Sequence, residues 1–219
     1  MRGIFVKYIA TLVGLSSLTI GYRSPYSEAP EAAFKALEER LLNAREVKLG
    51  FHVTAVGAVS ADIHGTLEME TGAGIMLQGR GTFAGDGVDL ELRADNYQVE
   101  FGNRSDRIVT DTPRKLHEAM LIGLTRMGIL HNLARLAGNT LPDHAEGGVR
   151  DWVLVDSFTV NLQCDAAISF AIIVAGEPSG SAILEIAPAG QPVERHQTVH
   201  FPNGEMRVVE RYSDVMVAQ

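Results

Sequence analysis

Two groupings of histidine are the first residues here whose types could do chemistry. His196 and His200 stand four apart on a predicted strand with Glu194 in the same parity, a spacing at which imidazoles can converge on zinc. His52, His64 and Asp62 share the polar faces of two neighbouring predicted strands, where a hydrolase could use a histidine base oriented by an acid. Each grouping also has a plainer reading. Glu194, His196, Thr198 and His200 form the polar parity of a strand whose apolar parity includes Val193, Val199 and Phe201, so a solvated strand face accounts for them. A cross-strand polar pair accounts equally for His52 and His64. No metal site and no cofactor are expected.

Other chemistry finds no support in the pattern. The chain has no Gly-x-Ser-x-Gly elbow, and its single cysteine, Cys164, has no local signature of a nucleophile and reads as buried packing in a strand. Gly79-Arg80-Gly81 and Gly85-Asp86-Gly87 are glycine-rich, yet neither follows a strand and opens a helix, so turn or bulge duty is expected rather than phosphate binding. Glu68 with Glu70 and Asp89 with Glu91 share a strand face with charged neighbours, as solvated carboxylates do. The expectation is a protein that is not an enzyme. A formal charge of −8, with no basic run, argues against a nucleic-acid partner.

What would position such side chains is a sheet. Residues 47–103 hold five segments that alternate apolar and polar residues with period two, the signature of strands with one greasy and one wet face. The first places Val47, Leu49, Phe51, Val53 and Ala55 on the apolar side, and the fifth does so with Tyr97, Val99 and Phe101. Gly72-Ala73-Gly74, Gly85-Asp86-Gly87 and Asp95-Asn96 supply tight turns between them. An antiparallel meander of this kind needs a cover for its apolar face.

Two helical stretches can provide one. Residues 30–44 carry Ala33, Phe34, Leu37, Leu41 and Leu42 at helical spacing, with Lys35, Glu38, Glu39 and Arg40 mostly opposite. Thr112-Pro113 reads as a cap and first helical residue for a second, unusually apolar stretch ending near residue 137. Gly123 and Gly128 each weaken it by roughly 1 kcal/mol relative to alanine, so two pieces with a bend are expected. Strands return over residues 151–155, 158–163, 166–175, 181–187, 193–201 and 205–217, with Pro202-Asn203-Gly204 as a hairpin turn. The stretch 166–175 is apolar on both parities, which predicts a central strand covered on both sides.

Together these predict an α+β chain: one highly curved antiparallel sheet of about ten or eleven strands, an incomplete barrel with helices covering its concave face. Two helices offer narrow apolar stripes against a broad inner face, so some concave apolar surface is left over for a ligand. Its predicted lining is Phe51, Ile63, Leu67, Leu77, Leu90 and Val99 of the meander with Leu121, Leu124 and Ile129 of the insert. Residues 120–136 read as plain core, as a mobile lid, or as a patch touching a membrane surface, with Met120 and Met127 as adaptable contacts. At the start, Arg2 and Lys7 accompany a thirteen-residue apolar run over residues 8–20, too short for a comfortable span and like the core of an export signal. Residues 1–28 are thus expected to be an export signal, with an uncleaved inner-membrane anchor as the alternative. The absence of a cysteine after the run argues against a lipid-modified N-terminus.

The order of export signal, short amphipathic helix, long meander, helical insert and further strands resembles the bacterial outer-membrane lipoprotein carrier and receptor superfamily, the LolA/LolB-like fold. Locally similar text is Leu37-Glu38-Glu39-Arg40-Leu41-Leu42, residues 47–54, and Gly65-Thr66-Leu67-Glu68. The resemblance implies one half-barrel domain over residues 29–219 and, as activity, carriage of an acyl chain or other lipid between sheet and helices in the periplasm or outside the cell. The implied partner is a lipid or an acylated protein. Where the family's cavity is rich in aromatics, this inner face is built from Val, Leu, Ile, Met and Gly, and the one tryptophan, Trp152, follows the insert. A rival reading keeps the fold, collapses the core, and makes the protein a cell-envelope assembly or structural factor that binds a protein partner.

Overall fold

The structure, a computed structural model, describes residues 28–103, 106–142, 153–160, 166–174, 177–187, 191–202 and 204–219. Helix α1 (Glu28–Leu42) leads into a six-strand meander: β1 (Glu46–Gly57), β2 (Ala61–Glu70), β3 (Gly74–Phe83), β4 (Asp86–Ala94), β5 (Gln98–Asn103) and β6 (Asp106–Asp111). The insert follows as α2 (Leu116–Ile122), a π-helical turn (Gly123–Met127) and α3 (Ile129–Ala137). A second meander completes the chain: β7 (Val153–Val160), β8 (Ala166–Val174), β9 (Glu177–Ile186), β10 (Pro192–Phe201) and β11 (Gly204–Ala218).

All described strands form one antiparallel sheet in the order β6-β5-β4-β3-β2-β1-β11-β10-β9-β8-β7, curved and not closed into a barrel. The seam is the long β1–β11 pairing, where Glu46 faces Ala218 and Gly57 faces Met206. Each meander runs outward from this seam, so β6 and β7 end at opposite edges. The insert, the described part of the chain between them, lies against the apolar face and covers it. α1 lies over β7 and touches α2, while α3 lies over β4 and β5. Gly65 and Gly79, register partners on β2 and β3, make the close approach possible: a Cβ on Gly65 would strike the Phe51 ring at 2.6 Å, and one on Gly79 would crowd Leu133 of α3 at 3.3 Å. Among the described residues no helix is long and apolar enough to cross a membrane.

The expected class is what the structure has, with local differences. The predicted strands 151–155 and 158–163 are one strand, β7, with a register shift between Val155 and Ser157. The stretch expected at the centre, β8, sits beside the edge strand β7. Its outward residues Ala167, Ser169, Ala171 and Ile173 are only half-buried. Small residues there imitate the doubly apolar pattern of a central strand while tolerating a wet face. Tyr97 does not join the apolar parity of β5. The Asp95 carboxylate accepts hydrogen bonds from the Tyr97 and Gln98 N–H groups at 2.7 Å, an Asx-type turn that leaves the Tyr97 ring exposed. α2 begins at Leu116, a turn later than Thr112-Pro113 suggested. On α1, Phe34 and Leu41 are buried and Leu37 is only half-buried; Glu38 is buried as well. Cys164 lies outside the described residues, as does Trp152.

Candidate functional site

The concave face and the insert share one continuous buried cluster, and all nine predicted lining residues belong to it: Phe51, Ile63, Leu67, Leu77, Leu90, Val99, Leu121, Leu124 and Ile129. Alternation puts the first six on the inner face. The other three come from α2, the π-helical turn and the first residue of α3, which face the sheet. Phe51 is the most exposed of the nine at 4%, so in this state the chain's own side chains fill the space.

Across that apolar field runs a seam of buried charge. Glu38 of α1 accepts from Arg126 Nε at 3.0 Å and Nη2 at 3.2 Å, a two-pronged pair, and from the Thr125 hydroxyl at 3.0 Å. Arg195 of β10 donates from Nη1 to the Thr125 carbonyl at 2.8 Å, from Nη2 to the Arg126 carbonyl, and from Nε to Gln197 Oε1 at 3.1 Å. Glu210 of β11 accepts the N–H groups of Ile129 and Leu130, both at 2.8 Å, and the hydroxyl of Tyr212. These two N–H groups open α3, where a helix leaves its first donors without partners of its own and favours negative charge. Glu210 is thus the cap of α3, supplied from the sheet rather than from α3's own flank. Two rings brace the cations: the Arg126 guanidinium carbon lies 4.9 Å from the Phe34 centroid and that of Arg195 lies 5.2 Å from Phe170. Phe34 and Phe170 meet edge to face at 5.1 Å.

Burial governs the titration of Glu210, Arg195 and Tyr212. Loss of water pushes Glu210 above the usual glutamate range, against the pull of the Arg195 charge and the hydrogen bonds from Tyr212, Leu130 and Ile129. It lowers Arg195 and, with the Glu210 charge adding to it, raises Tyr212 well above an ordinary phenol. Every group in the seam is held by another, the hydroxyls of Thr125 and Tyr212 by the carboxylates of Glu38 and Glu210. Its chemistry is that of a clasp between sheet and cover.

Arg195 and Gln197 were legible as a possibility, since they share parity with Val199 on a strand otherwise apolar on that side. Val193 instead faces out, because a register shift between Pro192 and Glu194 resets the alternation at the start of β10. Glu210 likewise alternates with the buried Val208 and Tyr212. Glu38 carried no such signal; as one acid among several on α1 it reads as solvent-facing.

The histidine groupings lie on the outer face. His52 Nε2 meets Asp62 Oδ1 at 2.9 Å in the open, and His64 faces His52 in register. His196 pairs with Glu194 at 2.7 Å and His200 with Glu205 at 3.6 Å. Among the described residues no group of three His, Cys, Asp or Glu side chains is placed to hold a metal. The outer face also carries two hollows. One of about 230 Å³ lies among Gln78, Arg80, Asp89, Glu91, Arg93 and Arg107, and another of about 460 Å³ lies where Lys48, Glu68, Arg93 and Glu100 converge.

No protein-family model matches the chain, and no curated protein does. Solved structures do match. One is named for an outer membrane lipoprotein-sorting protein domain from Vibrio parahaemolyticus: 7% identity, 86% of this chain and 91% of that one, TM-score 0.32. A LolA superfamily protein from Nitrosomonas europaea matches at 7% identity over 84% of this chain and 93% of that one, TM-score 0.32. A beta-barrel-like protein of a domain of unknown function from Brucella abortus matches at 9% identity over 80% and 99%, TM-score 0.34. These likenesses concern the fold. The architecture itself rests on the strand order and the helical cover.

Proposed function

We propose that this chain is a non-enzymatic, exported carrier that holds an acyl chain between the apolar face of its curved sheet and the bent insert. The observation that carries the reading is the clasp. The cover is fastened to the inner face at a few buried polar points, Arg195 and Glu210 on the sheet and Glu38 on α1, set in a cluster of buried apolar side chains. Apolar contacts are non-directional, so an acyl chain can replace the insert's side chains against the sheet, gaining roughly 0.8 kcal/mol per methylene buried. The bend at Gly123–Met127 and Gly128 supplies a joint between α2 and α3 at the fastening point. Residues 120–136 face inward here, and contact with a membrane surface requires the cover to swing out.

A titration with a fluorescent fatty acid tests this. Saturable uptake by the wild type is expected. Leu77→Trp, which wedges the space, should weaken uptake at least about fivefold, with thermal unfolding checking that the overpacked core survives. Glu68→Gln on the outer face should leave uptake unchanged. A flat titration for every acyl probe would remove the carrier reading in favour of a second one, an envelope assembly factor with a protein partner. The observation that favours this second reading is that the nine lining residues are already packed by their own neighbours.

Export by residues 1–28, and with it a periplasmic location, belongs to the same proposal. N-terminal sequencing of protein from a periplasmic extract should begin after the apolar run. Protein found solely in the cytosol with Met1 intact would remove it.

A further inference from the structure

We infer that Arg195, in the buried clasp between sheet and cover, selects an acyl carbonyl that is neutral, as in an ester or amide; this rests on the carrier reading above. Arg195 is 0% exposed on the inner face of β10, and its acceptors are neutral: the backbone carbonyls of Thr125 and Arg126 on the cover, and the Gln197 side chain on its own strand. The carboxylate opposite it in register, Glu210, is engaged elsewhere, by the Ile129 and Leu130 N–H groups and the Tyr212 hydroxyl. The seam as a whole is balanced, with Glu38 and Glu210 against Arg126 and Arg195.

A ligand that lifts the cover takes two carbonyl oxygens away from a buried guanidinium. Leaving those donors without acceptors in an apolar cradle is costly, so the occupant must return what it displaced. An ester or amide carbonyl does this like for like and keeps the charge balance. A carboxylate adds a fifth charge beside Glu210. An alkyl ether of the same length fills the same apolar space and returns no carbonyl. Sites built around a hydrogen bond discriminate strongly against an analogue that lacks it, whereas apolar walls alone do not.

The test compares monopalmitoylglycerol, its hexadecyl ether analogue and palmitate, read by displacement of the fluorescent acyl probe from the wild-type chain. The ester should bind at least about tenfold more tightly than the ether, and palmitate should hold no advantage over the ester. In Arg195→Met the ester-to-ether ratio should fall below about threefold, with ether binding kept. The wild-type comparison stands even where that variant does not fold. Equal binding of ester and ether to the wild type would overturn the inference and leave carriage intact; that is the result expected if Glu210 closes onto Arg195 when the cover lifts. Palmitate binding more tightly than the ester would overturn it in favour of an anion site. Binding of none of the three would remove the carrier reading and the inference together.

Discussion

Glu210→Ala should lower the stability of the folded chain by about 3–5 kcal/mol, the range for removing one partner from a buried charged network. Chemical denaturation at neutral pH measures it. The substitution takes away the acceptor of two backbone N–H groups at the start of α3 and of the Tyr212 hydroxyl, all of them buried, and a countercharge of Arg195. None of these can turn to water while the cover is closed. A surface acid sets the scale: Glu205→Ala, which breaks exposed pairs with Arg207 and His200, should cost no more than about 1 kcal/mol. A Glu210→Ala loss within that surface range would mean that the cover does not depend on the clasp.

The same residue makes stability depend on pH in a stated direction. Burial holds the Glu210 carboxyl above the usual glutamate range, so in that window the folded chain binds a proton that the unfolded chain has released. The stability this group contributes is fully present below the ordinary glutamate pKa and is lost as pH rises through the raised folded value. Glu210→Gln, which cannot ionise, should therefore lack that fall. The difference in unfolding free energy between wild type and Glu210→Gln should shift against the wild type as pH climbs from the acidic range toward neutrality. Parallel pH profiles would show that burial does not set the titration of Glu210.

How much of this could be read beforehand divides along a physical line. Period-two alternation over β1 to β4 is enforced residue by residue, because a slip of one position would turn Ile63, Leu67 and Leu77 out to water. That pattern therefore stands in the sequence itself. The sheet order does not stand there, yet it follows once β1 and β11 pair. What alternation hides is a charged residue on the apolar parity. Arg195, Gln197 and Glu210 are inner-face positions by counting alone, and their chemical type argues against it. Only partners far along the chain make them tolerable: Glu210 is 81 residues from Ile129, and Arg195 is 70 from Thr125. Glu38 and Arg126 are 88 apart and hide each other in the same way. The candidate site was thus legible as an apolar surface; parity alone places Arg195, Gln197 and Glu210 on it, and nothing local places Glu38 or Arg126 there.

Gly128 is where backbone and clasp meet, and Gly128→Ala should cost about 2–6 kcal/mol from two sources that can be separated. Its φ of 83° and ψ of 169° lie in a region essentially confined to glycine, so any side chain strains the backbone by roughly 1–3 kcal/mol. In addition, a Cβ there would stand 2.5 Å from both carboxylate oxygens of Glu210. The carboxylate would have to leave the Ile129 and Leu130 N–H groups, and a buried donor left unpaired costs about 1–3 kcal/mol more. Gly72 gives a positive-φ reference without a clash: its φ is +80°, and a Cβ there meets nothing within 4 Å, so Gly72→Ala should show only the strain of its own turn. A double-mutant cycle isolates the second. With Glu210→Ala already in place the clash is gone, and Gly128→Ala should then cost only the roughly 1–3 kcal/mol of backbone strain. The two changes together should therefore fall short of the sum of their separate effects by more than about 1 kcal/mol. Strict additivity would sink the account, because it would mean that the carboxylate does not rest against the glycine at the joint of the cover.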